Sequence, residues 1–286
     1  MSKIISASRR TDIPAFQSDE FMEDVRKGYR DLKNPYTGSL DRYLLTPEEV
    51  ICFVFWTKNP QPMINKGYLI ELIDRGYKFY FNYTMTGLKT ADPRLEPGVP
   101  SLSEQLNSAI HIATKYPGTV RWRYDPILIT SLADWAWHLR NFEYICKTFS
   151  QMAPTIKDCI FSFYQDYRKA AIRMKDRGII YRMPDEAEQI TYTKSLAMIA
   201  KHFGIRMLSC AQPLFQNVPE VGQSRCIDPD VIFPLLSWNN KYTDLIELKK
   251  DKGQRKACGC VQSVDIGVYN TCPHSCAYCY ANQEDT

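Results

Sequence analysis

The sequence predicts an α/β fold: a partial parallel (β/α)6, TIM-like barrel carrying a cysteine-rich C-terminal arm. Segments of strand character alternate with segments of helical character about six times, with short connections between them, the order that right-handed crossovers turn into a parallel sheet. Residues 50–57 (VICFVFWT) form a nearly all-apolar, β-prone run, as expected for a strand covered on both faces. After Cys210 the alternation stops. Residues 1–210 are therefore assigned to the barrel, and 211–286 to an arm packed on the barrel mouth as part of the same structural unit.

Each element follows from local chemistry. Residues 3–8 (KIISAS) are a short apolar run that opens onto the polar stretch Arg9, Arg10, Thr11, Asp12, so a buried strand delivers a polar loop. Residues 19–29 have helical character, and Lys58, Asn59 and Pro60 end the strand over 50–57. Apolar spacing predicts a helix over 62–74, which Gly76 stops before a strand over 77–84. A polar, proline-bearing loop over 87–100 leads to a helix over 103–115, closed by Gly118. The next strand, 120–129, is broken at Pro126. Helices over 134–152 and 185–203 and strands over 159–164 and 205–210 complete the series. Beyond it, 213–223 reads as loop, 229–242 as mixed and 245–256 as a charged segment.

With 286 residues the chain can bury a substantial core. Hydrophobic residues at 44% and charged residues at 24% exclude a disordered or membrane protein. The first twenty residues hold no apolar signal core and the longest apolar run cannot span a bilayer, so a cytoplasmic location without a membrane partner is expected. A net charge of +4 permits anionic substrates but does not by itself support nucleic-acid binding. In a reducing compartment ten cysteines call for metal-centre or core explanations rather than disulfides.

The cysteines fall into three groups. Cys52, Cys146 and Cys159 lie in apolar strand or helix contexts and read as small core residues. Cys272, Cys276 and Cys279 are spaced C-x3-C-x2-C, a local triad that can hold three irons of a [4Fe–4S] cluster and leave the fourth open; a zinc knuckle using His274 or an upstream cysteine is the alternative. Cys210, Cys226, Cys258 and Cys260 are enough for a second, closed [4Fe–4S] site, with Gly259 letting neighbouring thiolates converge. The competing readings are plain buried thiols, or a zinc site using Cys258 and Cys260.

The triad, the aromatic Tyr278 before its last cysteine and the following Tyr280, Ala281 and Asn282 resemble the radical S-adenosylmethionine (SAM) superfamily, and within it the spore photoproduct lyase branch. The resemblance implies that Cys272, Cys276 and Cys279 ligate the cluster and that the amino and carboxylate groups of SAM chelate its open iron. It implies also that one-electron cleavage of SAM gives methionine and a 5′-deoxyadenosyl radical, with Tyr278 against the adenine. An electron donor such as flavodoxin or ferredoxin and an unknown substrate are implied partners. Most of that superfamily carries the loop after the first barrel strand, whereas here it lies near the C-terminal end of the sequence. The chain also resembles an uncharacterised bacterial family, a domain of unknown function, that ends in the same way.

Parallel barrels work at the carboxyl ends of their strands, which nominates further residues. Thr57 and Asn59 end the second strand where the superfamily commonly binds the SAM amino group, while Lys58 reads as solvent-facing. Asn82 and Thr84 end the third. Arg123 and Asp125 project to one side of the fourth, suited to the SAM carboxylate and ribose hydroxyls or, equally, to a rim ion pair. Arg9, Arg10 and Asp12 join the same mouth, and the segment 92–100 around Glu96 and Pro97 resembles the Glu-Pro loop of lyase-like proteins. Tyr164, Tyr167, Tyr269 and Tyr280 are radical-relay candidates by loop position, and His274 is placed to hydrogen-bond a cluster sulfur. His111, His138 and His202 read as ordinary helix residues.

Two rival classes remain at this level. One is a non-catalytic zinc or iron–sulfur module that binds nucleic acid or a protein partner through Lys249, Lys250, Lys252, Arg255 and Lys256. The other is a barrel hydrolase using Asp12, Glu96 or Asp125, disfavoured because no nucleophile or metal-ligand spacing accompanies them.

Overall fold

The computed structural model describes residues 2–33, 38–236 and 248–282. In chain order its strands are β1 (Lys3–Ala7), β2 (Tyr29–Lys33), β3 (Leu40–Leu44), β4 (Val50–Thr57), β5 (Phe79–Thr84), β6 (Val120–Ile127), β7 (Ile129–Thr130), β8 (Asp158–Phe163), β9 (Tyr181–Arg182), β10 (Arg206–Ser209), β11 (Val221–Gln223) and β12 (Val264–Asp265). Eight of these form one sheet in the order β11-β10-β8-β6-β5-β4-β1-β12, and every pairing in it is parallel.

The six central strands are the six expected from the sequence. The expectation of a (β/α)6 barrel with a separate arm needs correction, because the arm supplies both edge strands, β11 and β12, and makes the sheet eight-stranded. These edges do not pair with each other, so the sheet is open among the described residues.

Alternation along the strands sorts side chains onto two differently covered faces. Phe53 and Phe55 of β4, Phe79 and Phe81 of β5, Trp122 and Tyr124 of β6 and Phe161 of β8 share one core cluster with buried residues of the helices Ser18–Lys27, Leu102–Lys115, Trp135–Met152 and Glu186–His202. Ile4, Cys52, Val54, Tyr80 and Ile160 face the other way, and there the arm packs with Ile227, Ile232, Leu236, Cys260 and Val261. Both faces are covered, which accounts for the uninterrupted apolar run of β4.

Several boundaries differ from expectation for visible reasons. The helix over 62–74 is two helices, Gln61–Asn65 and Tyr68–Asp74, parted by Gly67 in the left-handed region at φ 70°. The loop 87–100 contains a single helical turn, Leu88–Ala91. The strand after residue 120 shifts register between Tyr124 and Ile127, where Pro126 has no amide to donate. The hairpin β2–β3 and the helix Arg168–Asp176 were not anticipated. Of the mixed segment, Pro229–Leu236 is helical; its remainder and the start of the charged segment, 237–247, lie outside the described residues.

Cys52, Cys146 and Cys159 are fully buried thiols, as expected. His138 is no ordinary surface residue of its helix. It is fully buried, its Nδ1 accepting from the Tyr124 hydroxyl at 2.8 Å and its Nε2 donating to the Leu128 carbonyl at 3.0 Å. Burial lowers its pKa from 6.5 to about 4. Below pH 6.5 the unfolded chain takes up a proton that the folded chain refuses, so stability falls as pH drops from 6.5 towards 4, by about 3 kcal/mol from this group. Denaturant titrations across that window should show a shallower decline in His138→Gln than in the parent chain. Equal slopes would remove the imidazole from the account.

Candidate metal centre

The cysteine loop sits at the carboxyl edge of the sheet, held by residues that directly follow β1, β4 and β5. Asp12, past β1, is the hub. Its carboxylate accepts from Thr57 Oγ1 at 2.7 Å, from the Lys58 amide at 2.7 Å and from the Ala15 amide at 3.0 Å, and lies 2.9 Å from His274 Nε2. His274 Nδ1 in turn lies 3.0 Å from the Gly98 carbonyl. His274 therefore bridges two loops through its ring, and it is its backbone amide, not the ring, that hydrogen-bonds a cysteine sulfur, that of Cys272.

Lys58 likewise departs from its expected solvent-facing place. Its Nζ donates to Glu96 Oε1 at 2.7 Å and to the Tyr278 hydroxyl at 2.9 Å, and Glu96 is 1% exposed. Burial opposes charge on both partners, but their attraction prevails, holding Lys58 above the usual ammonium range and Glu96 below the usual carboxylate range. Glu96 also accepts from Thr86 Oγ1 at 3.0 Å and from the Tyr278 hydroxyl. Thr57 and Asn59 serve this knot, with the Asn59 amide donating to Thr57 Oγ1 at 2.9 Å.

Two arginines that sequence reading passed over tie the loop down from below. Arg173 of the helix Arg168–Asp176 donates through Nη1 to the carbonyls of Cys276, Ala277 and Cys279 at 3.2, 3.2 and 3.1 Å. Arg177 donates to the Ser275 carbonyl at 2.7 Å and to its hydroxyl at 2.8 Å. Asp265 of β12 anchors the approach to the loop, accepting from Ser6 Oγ at 2.8 Å, Ser8 Oγ at 2.7 Å and the Arg9 amide at 2.8 Å. A buried helix residue that bonds to carbonyls more than a hundred residues away leaves no mark in sequence spacing.

The loop also seats against Gly98, whose amide donates to the His274 carbonyl at 3.1 Å. A Cβ at Gly98 would lie 2.6 Å from the Pro273 oxygen and 2.9 Å from His274 Cα, both backbone atoms that cannot swing aside. Gly98→Ala should therefore push the loop off its seat, costing about 1–3 kcal/mol as overpacking does and lowering the melting temperature. An unchanged melting temperature would show that the seat can give.

Within the loop, Cys276 is buried and Cys272 and Cys279 are half-buried. Burial pushes Cys276 well above the ordinary thiol value and Cys272 up to about 12, and the charge of Cys279 adds to both. The Ala281 amide donates to Cys279 Sγ at 3.3 Å. Among the described residues no group of three or more His, Cys, Asp or Glu side chains is arranged to hold a metal ion.

A cavity of about 240 Å³ opens beside the loop, lined by Tyr278, Cys279 and Tyr280 and also by Arg9, Trp56, Arg123 and Asp125. Of the relay candidates, Tyr164, Tyr167 and Tyr280 line it, while Tyr269 packs on Arg10, the guanidinium carbon 5.1 Å from its ring centroid. Arg123 and Asp125 form an ion pair, and Arg123 also donates to Cys226 Sγ at 2.8 Å. Asn82 donates to the Cys226 carbonyl at 2.9 Å, so Asn82 and Arg123 stand with the second cysteine set rather than with the triad. The basic residues Lys249, Lys250, Lys252 and Lys256 are exposed, and Arg255 reaches the cavity wall with Nη1 3.1 Å from Gln165 Oε1.

Fold and site together define an α/β protein with a thiol-rich mouth at the carboxyl edge of a parallel sheet. The chain belongs to the family described as a domain of unknown function, DUF1848, whose model matches residues 4–281. No curated protein and no solved structure matches the chain. No helix among the described residues is long and apolar enough to cross a membrane.

Proposed function

We propose that this chain is a radical SAM enzyme, with Cys272, Cys276 and Cys279 as the ligands of a [4Fe–4S] cluster whose remaining iron is left for the amino and carboxylate groups of SAM. A cluster bound there would supply one electron to the sulfonium, releasing methionine and the 5′-deoxyadenosyl radical that takes a hydrogen atom from substrate. The observation that carries this reading is the placement of three cysteines, spaced C-x3-C-x2-C, at the carboxyl edge of a parallel sheet beside a cavity of about 240 Å³.

The surrounding residues have supporting tasks. Arg173, Arg177 and the Lys58 ammonium bring positive charge to a loop that would carry three thiolates. The Ala281 amide donates to Cys279, a contact of the kind that tunes cluster potential. Tyr278, its hydroxyl fixed by Glu96 and Lys58, presents its ring to the cavity as a wall for a planar base. Thr57 and Asn59 keep the turn after β4 in place.

Anaerobic reconstitution with iron and sulfide tests the proposal. The reduced protein should give a [4Fe–4S]⁺ electron-spin signal that changes when SAM is added, and should form 5′-deoxyadenosine. A fully reconstituted protein that neither responds to SAM nor cleaves it would overturn the assignment.

A further inference from the structure

We infer that Cys210, Cys226, Cys258 and Cys260 hold a second iron–sulfur cluster, at a site that does not depend on the triad. These thiols come from three separate stretches: Cys210 directly follows β10, Cys226 lies beyond β11, and Cys258 and Cys260 lie on the arm as it returns across the sheet. The fold nevertheless brings them together. Cys210 and Cys226 Sγ are 3.6 Å apart, Cys226 hydrogen-bonds with Cys260, and Cys260 with Cys258. All four line the cavity that Tyr278 and Cys279 also line.

Cys226 and Cys260 share the apolar cluster of Cys52, but the quartet differs from the plain core thiols in its charged neighbours. In the quartet, two arginines are directed at sulfur. Arg123, which is 6% exposed, donates to Cys226 at 2.8 Å in addition to its pairing with Asp125. Arg9 hydrogen-bonds Cys260, and the charge of Cys226 also acts on it. The Ile227 amide adds a contact to Cys260 Sγ at 3.4 Å. Guanidinium groups taken out of water need negative charge beside them, and four thiolates on a cluster provide it.

The place of the thiols is what suits a cluster. They sit along a cavity wall, where thiolates on separate irons can flank a body larger than one ion; the present 3.6 Å contact of Cys210 with Cys226 would open to admit it. With four protein ligands such a cluster has no open iron. It would charge and shape the wall of the cavity rather than bind a substrate through metal.

The decisive protein is the full chain carrying Cys272→Ala, Cys276→Ala and Cys279→Ala, reconstituted anaerobically with ferrous iron and sulfide. It should bind about four irons and about four sulfides per chain, with an iron–sulfur absorption that SAM leaves unchanged. Adding Cys226→Ala and Cys260→Ala should abolish that binding. Far-UV circular dichroism checks folding, and Cys210→Ala, at a half-buried position, gives a milder variant that should lower iron content in the same direction. Because the triad is absent, this iron count speaks to the quartet whatever the parent chain does with SAM. A folded triple variant that takes up no iron and sulfide, or that binds zinc without acid-labile sulfide, would overturn the inference.

Discussion

Cys276→Ala is expected to bring 5′-deoxyadenosine formation down to background, a loss of about a hundredfold or more, since even groups behind a metal ligand cost ten- to a hundredfold when removed. Cys276 is the buried member of the triad, packed in one apolar cluster with Leu95, Val99 and Met174. The sheet should survive the change, because the Cys276 backbone contacts use its carbonyl, which alanine retains. Cys146→Ala provides the matched control. It too removes a buried thiol, but from the helix Trp135–Met152 within the main core cluster, and it should leave SAM cleavage unaltered while costing some stability. Product formation and the SAM-dependent electron-spin change, measured on both variants at equal protein folding, decide the matter. If Cys276→Ala cleaved SAM as fast as Cys146→Ala does, the triad would not be the cluster site.

What the sequence disclosed and what it withheld follow the range of the interactions involved. The central strands were legible because residues covered on both faces must be apolar at every position, and β4 is. The triad stood out because its three cysteines lie within one short stretch. The helix Arg168–Asp176 was not, since its buried face is Ala170, Arg173 and Met174, too thin an apolar stripe to stand out, and its arginine acts on carbonyls more than a hundred residues away. β12 escaped notice because two residues are too few for a pattern, although Asp265 there holds the arm to β1. The expectation that Arg123 and Asp125 face SAM came from their shared side of a strand. That alternation was right, but which cysteines the arm would lay beside them could not be read from it. Glu96 was read as part of a Glu-Pro-like loop and as a carboxylate of a rival hydrolase, and the structure makes it the buried carboxylate that fixes both Lys58 and Tyr278.

The arginine beneath the loop supports the second large expected effect. In Arg173→Met the side chain keeps its apolar stem, so the helix should still pack, but the carbonyls of Cys276, Ala277 and Cys279 lose their donor. Removing a charged donor from buried acceptors costs about 1.5–3 kcal/mol per strong contact, less than additively when one group serves several. For a domain of this size each kcal/mol lowers the melting temperature by about 2–4 °C. The damage should be local: far-UV circular dichroism close to the parent chain, together with a marked loss of the SAM-responsive electron-spin signal, because the loop backbone that sets the three sulfurs is released. Arg173→Lys should recover part of that signal, since an ammonium supplies charge but cannot reproduce the planar fork that reaches several carbonyls at once. A purely structural role would lower the melting temperature of Arg173→Met and leave its signal per folded chain intact. A melting temperature within about a degree of the parent and undiminished cluster loading would mean that the loop holds its shape without the guanidinium.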